Sequence, residues 1–105
     1  TLAAVVLPLF LGMVTPAKAE SLSPIQRLLA TKHCQGCDLS DANLAGTDLS
    51  HADLRGANLN QANLSGANLF GANLSNTNLT NANLINSNLF EANLSNCNLD
   101  RANLS

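Results

Sequence analysis

Residues 62–71 read ANLSGANLFG, two copies of one five-residue unit, and the unit continues in both directions. Leu recurs at every fifth position from Leu39 to Leu104 without a miss. The residue before each Leu is always Asn or Asp. Two before it stands a small residue: Ala in nine of the fourteen units, otherwise Cys37, Thr47, Thr77, Ser87 and Cys97. A period of five matches neither the helix nor the flat strand, and a repeat is read before any other pattern.

In an extended segment, residues two apart face the same side, so Ala42 and Leu44 point together. The next inward residue, Thr47, comes three positions after Leu44, and an odd step returns to the same interior only if the chain turns a corner between them. Each unit is thus a very short strand plus a corner. Gly46, Gly56, Gly66, Gly71 and several Asn stand at those corners, where left-handed backbone is tolerated. No single coil can bury its own Leu, so the stability of such a chain comes from stacking one coil on the next.

The unit A-[DN]-L-x-x, with ANLSG at 62–66 and ANLFG at 67–71, closely resembles the pentapeptide-repeat family over residues 37–105. The resemblance implies an all-β architecture: a right-handed, four-sided parallel β-helix with four units per coil, about three and a half coils in all. Residues 20 apart would then stack at about 4.8 Å. On that scheme Leu and small side chains fill the interior, and the hydroxyls of Thr47, Thr77 and Ser87 must find backbone partners. Cys97 shares a column with Cys37 but lies three coils away, about 14 Å, too far for a disulfide; it is read as a small core residue. The stacked series Asn58, Asn78, Asn98 and Asn63, Asn83, Asn103 are expected to pair their amides as ladders, wetting a surface that has few charges.

Those charges are few indeed: 11% of 105 residues, with a formal net charge of -2, against about 25% in an ordinary soluble domain. A nucleic-acid binder needs a basic face, and five scattered Lys and Arg do not make one. Catalysis has equally little to work with. Two His, no Tyr, no Lys beyond Lys32 and a Leu-filled core leave no base–nucleophile pair. No catalytic residue, cofactor site or metal site is assigned.

The two ends read differently from the repeat. Leu2 to Val14 is an uncharged apolar run, short for a bilayer span, followed by Ala17-Lys18-Ala19. This reads as the core and cleavage site of an export signal over residues 1–19; the alternative is a membrane anchor, the one route by which the chain would meet a membrane. Neither an initiator Met nor a basic segment precedes Thr1, and Ser105 falls four residues into a unit, so the reading is a chain truncated at both ends. Residues 20–36 form a linker and cap. Ser23-Pro24-Ile25-Gln26 carries a capping box with Pro at the first helical position. The spacing predicts a short amphipathic helix, about 24 to 32, laying Ile25, Leu28 and Leu29 over the open first coil.

His33-Cys34-Gln35-Gly36-Cys37 follows the cap. The order is wrong for haem attachment and the βαβ context of a thioredoxin-like motif is missing; zinc would lack a fourth ligand. Export to an oxidising compartment, the periplasm or thylakoid lumen, favours a Cys34–Cys37 disulfide pinning cap to coil. Free thiols, or a redox or metal role, are the alternatives. The stretch LLATKHCQGCDLSDANL also resembles the cap-to-repeat junction of exported pentapeptide-repeat proteins of cyanobacteria and chloroplast lumens.

Two surface features remain. Phe70 and Phe90 hold the outward position after Leu, 20 apart, with Ile85 on the preceding side. Together they form a candidate docking patch for an unidentified protein partner or a second copy. Asp38, Asp41, Asp48 and Asp53 cluster in the first coil. Some members of the family resemble duplex DNA and bind gyrase, but here the acidic column turns to Asn from residue 58, and export would remove the chain from gyrase. The expected function is a non-catalytic structural or interaction module outside the cytoplasm. A gyrase-binding DNA mimic and a rod that dimerises through its C-terminal coil are the alternatives.

Overall fold

The computed structural model describes residues 21–105. The export-signal reading of residues 1–19 lies outside the described residues. From His33 onward the chain forms parallel bridges between residues 20 apart, beginning at His33–Asp53, Asp38–Asn58, Asn43–Asn63 and Asp48–Asn68 and ending at Asn83–Asn103. Four bridging positions fall within each 20 residues, so each coil has four sides.

The backbone accounting of one unit shows why the sequence repeats as it does. In residues 57–61 the Ala57 N–H donates to the Leu54 carbonyl at 3.0 Å and Asn58 N–H to the Cys37 carbonyl of the coil before at 2.8 Å. Leu59 and Gln61 N–H donate to the Asn78 and Thr80 carbonyls of the coil after, at 2.7 and 2.9 Å. That leaves the N–H of Asn60, which no neighbouring coil reaches. It donates to Oδ1 of Asn58 at 3.0 Å. Every buried N–H must be placed somewhere, and the Asn or Asp before each Leu places this one. Because only an acceptor is needed, Asp38 and Asp48 do the same work for Ser40 and Ser50 as Asn does elsewhere.

Each corner is a turn in which the N–H of the small residue reaches the Leu carbonyl three back, with the residue between at positive φ. That is the pattern of a type II turn. The corner residues include Gly46 at φ 69° and Gly66 at 68°, but also Gln61 at 62° and Arg101 at 61°. Glycine eases the corner without being required at it.

Leu39 through Leu84 are fully buried with the Ala column between them. Leu89, Leu94 and Leu99 are only half-buried against that core, and Leu104 is 52% exposed, since no described coil stacks beyond them. The interior hydroxyls find the partners they require: Thr47, Thr77 and Ser87 donate to the carbonyls of Leu44, Leu74 and Leu84 at 2.7–2.8 Å. Cys97 is half-buried, its Sγ 2.8 Å from the Leu74 carbonyl. Among the described residues, no buried side-chain nitrogen or oxygen lacks a partner.

The coil starts ahead of the Leu repeat. Cys34 N–H donates to the Asp53 carbonyl and Gly36 N–H to that of Arg55, at 2.9 and 2.8 Å, the bonds that a Leu and a corner residue make elsewhere. Residues 32–36 are therefore a disguised unit, with His33 in the Asn column and Cys34, 1% exposed, in the Leu column.

Helix α1, Pro24–Thr31, is capped by Ser23, whose Oγ accepts from Gln26 N–H while Gln26 Oε1 accepts from Ser23 N–H. It closes the first coil chiefly with Leu28, which is fully buried. Of the other two residues expected on that face, Leu29 is 52% exposed, whereas Ile25, at 36%, is covered over most of its surface. Lys32, at the helix C-terminus, extends over the neighbouring side. Its ammonium donates to the Ser50 carbonyl at 3.0 Å, a group that in later coils accepts a corner N–H, and so closes part of the exposed strand edge.

Candidate interaction face

A rod filled by its own Leu leaves little room for chemistry. Among the described residues there is no pocket and no grouping of three or more His, Cys, Asp or Glu able to hold a metal ion. No described helix is long and apolar enough to cross a membrane. The features left to consider lie on the outer sides.

The sides differ because the position after Leu differs. On the side containing Ser50, that position holds Phe70 and Phe90 in the next two coils. Their rings stack with centroids 5.8 Å apart and planes 19° from parallel. The pairing expected from their spacing is present, with Phe90 66% exposed and Phe70 half-buried. A third ring, His51, meets Phe70 edge to face at 5.4 Å and 88°. This residue was not anticipated. It stands at a corner, and the position 20 further on, Gly71, was the available signal: a glycine in that column leaves space for a ring beside it. Ile85 is half-buried at the preceding corner and takes no part in the ring stack.

Beside the rings runs the column Asp48, Asn68, Asn88. The expectation of free-standing Asn ladders needs correction here. Asn68 and Asn88 Oδ1 accept the N–H of Phe70 and Phe90 at 3.1 and 3.0 Å, so their first task is local. Asn88 Nδ2 also donates to Asn68 Oδ1 at 3.3 Å. The columns of Asn58 and Asn63 likewise commit their oxygens to the residue two ahead.

Of the four acidic residues clustered in the first coils, Asp38, Asp48 and Asp53 are engaged by neighbouring donors. Hydrogen bonds from the Ser40 and Ser50 hydroxyls and N–H groups hold the carboxyls of Asp38 and Asp48 below the ordinary carboxylate range. Asp53 is held far below it, first by Arg55, which donates through Nε and Nη2 at 2.8 Å each, and also by Gln35. Cys34 and Cys37 flank the first turn in the Leu and small-residue columns, Cα atoms 5.3 Å apart and both sulfurs within bonding distance. Cys34 Sγ also lies 3.3 Å from the Pro24 carbonyl of the cap.

A family model described as pentapeptide repeats matches residues 33–69 and 67–105. Rfr23, a pentapeptide repeat protein from the cyanobacterium Cyanothece 51142, is 39% identical with a TM-score of 0.60, over 70% of this chain and 54% of its own. This chain therefore spans about half the length of that protein. A pentapeptide repeat protein from Nostoc Pcc 7120 is 34% identical over 89% of this chain and 78% of its own, TM-score 0.46. One from the thylakoid lumen of Arabidopsis thaliana is 30% identical over 70% and 58%, TM-score 0.34. Among curated proteins, none matches the chain. Pentapeptide repeat proteins fold as right-handed quadrilateral β-helices and are structural and interaction proteins rather than known enzymes. The match begins at His33, where the first bridge forms, and with four bridges to each 20-residue coil this chain belongs to the pentapeptide-repeat family.

Proposed function

We propose that this chain is a non-catalytic module that binds a protein partner outside the cytoplasm, through the side bearing Phe70 and Phe90, with Ile85 at its border. The observation that carries the reading is Phe90: a Phe 66% exposed, stacked on a second Phe, on a rod whose other outward positions after Leu, Ile85 apart, carry polar or small residues. Aromatic side chains combine large contact area with few rotors, which is why they anchor interfaces.

Export to the periplasm or thylakoid lumen is supported by Leu2 to Val14 followed by Ala17-Lys18-Ala19, with Glu20 the first residue after cleavage. In that setting Cys34 and Cys37 form a disulfide, standing where a Leu and a small residue flank every other turn and tying the first coil beneath Pro24. Alkylation of the unreduced, unfolded protein should then find one thiol, Cys97; three would overturn the pairing.

A photo-crosslinking amino acid placed at residue 90 in the native host tests the binding face. The expected result is a discrete adduct, absent when the same probe replaces Ser75 on another side. An adduct of twice the chain mass would make the partner a second copy. Equal labelling from positions 75 and 90 would overturn the reading.

A further inference from the structure

Resting on the Cys34–Cys37 pairing proposed above, we infer that this disulfide is a reversible switch of the cap, opened by a protein bearing a vicinal dithiol. The pair occupies positions that both redox forms can use. Cys34 stands in the Leu column, 1% exposed, and Cys37 in the small-residue column, 7% exposed. In that second column Thr47, Thr77 and Ser87 donate to the carbonyl three residues back. For Cys37 that carbonyl belongs to Cys34, and the Cys37 N–H already reaches it at 3.2 Å. The Pro24 carbonyl lies 3.3 Å from Cys34 Sγ, an atom that carries no hydrogen while oxidised. A thiol at either position therefore finds an acceptor in place, and reduction strands no donor in the core.

What reduction changes is the footing of α1. Eight residues are too few to hold a helix in water unaided, so α1 relies on the coil beneath it, where Leu28 belongs to the same buried core as Cys34 and Cys37. At every other turn the pair is a Leu and a small residue, and packing suffices. A cysteine fills less space than a Leu, so here the covalent bridge makes up for contacts that Cys34 does not supply. Once it is cut, the first turn keeps its backbone bond above an under-filled interior. The chemistry is two-electron exchange. A thiolate of the partner attacks the sulfur of Cys37, the less buried of the two, past Gly36, where even a Cβ would meet nothing within 4 Å. The S–S bond breaks, and Cys34 leaves as a thiolate that takes a proton. The partner's second thiol then attacks the mixed disulfide; Cys37 is released and protonated, and the partner departs oxidised to a disulfide.

The test is hydrogen exchange of the whole chain, followed by mass spectrometry with and without dithiothreitol as the dithiol. Alkylation should count one thiol before reduction, Cys97, and three after it. On reduction, exchange across α1 should quicken about tenfold, while Leu59 to Leu84 keep their protection. Reoxidation with glutathione disulfide should restore the slow exchange. Cys34→Leu combined with Cys37→Ala returns this turn to the pair found at most others, and should give a cap whose exchange dithiothreitol leaves unchanged. Three thiols before reduction would overturn the pairing, and the switch with it. One thiol before reduction would leave the pairing standing, and any of four results would then overturn the switch alone. These are unchanged exchange in α1, loss of protection along the whole rod, no reduction without denaturant, and no recovery on reoxidation.

Discussion

The imidazole of His51 lies over Gly71, so close that a Cβ on Gly71 would fall 2.7 Å from Nδ1 and 2.8 Å from Cε1. The two residues stand one coil apart in one corner column, and the ring that crosses the glycine is the ring that meets Phe70. At Gly46, by contrast, a Cβ would meet nothing within 4 Å.

Two substitutions separate backbone strain from this contact. Gly46→Ala, at φ 69°, should cost about 1 kcal/mol for a left-handed non-glycine. Gly71→Ala, at φ 66°, should cost that and also displace His51, for about 2 kcal/mol in total. Equal losses in chemical denaturation would show that the His51–Phe70 contact contributes nothing to stability.

The Asn column makes a second prediction. Asn63 Oδ1 accepts from both the N–H and the hydroxyl of Ser65, at 3.0 and 2.7 Å. Asn63→Ala leaves that N–H without its acceptor and should cost about 1–2 kcal/mol. Asn63→Asp keeps the acceptor and should change stability by less than about 0.5 kcal/mol. Thermal unfolding of the two variants decides it; similar losses would return the amide ladders to the leading role.

The cap rests chiefly on one side chain. Leu28→Ala should cost about 2–5 kcal/mol by opening a cavity over the first coil, whereas Ile25→Ser should cost about 1 kcal/mol and Leu29→Ser should stay within about 0.5 kcal/mol. Hydrogen exchange at Cys34 and Gly36, whose N–H groups join the first coil to the second, should accelerate in Leu28→Ala and not in Leu29→Ser.

Acid should weaken the fold from its first coils. The carboxyls of Asp38, Asp48 and Asp53 all titrate below their ordinary range in the folded chain, while in the unfolded chain they do so near about 3.9. With folded values lowered, the unfolded chain binds more protons in the window between. The stabilisation they supply is therefore complete above about pH 4 and declines as pH falls below it. Asp53→Asn should flatten the stability profile between about pH 4 and pH 2, and a profile of unchanged slope would count against the Arg55 and Gln35 contacts as its source.

Much of this molecule is legible one unit at a time. Leu39 to Leu104 at intervals of five require a corner in each unit; Ala42 and its equivalents require close packing beside Leu; Ser23 and Gln26 mark the start of a helix. These are local facts, set by side-chain direction and by capping within a few residues. The four sides came from resemblance to a family, since a period of five does not state how many units close a coil.

What the sequence could not show is what lies 20 residues away. His51 over Gly71, Lys32 on the Ser50 carbonyl and the edge-to-face contact of His51 with Phe70 all exist only once coils stack. The role of the Asn column is local yet was hidden too, because the reason for it is a negative one: the N–H two ahead reaches no neighbouring coil, which is apparent only after every other N–H has been placed. Cys34 was obscured by its own chemistry, standing in the Leu column as a cysteine. How far each residue of α1 is covered was likewise decided by the stack, which buries Leu28 fully and leaves Leu29 half exposed. Period and local capping thus belong to the sequence; everything that depends on the next coil belongs to the stack, because burial and long-range pairing are properties of neighbours that the chain brings together only by winding.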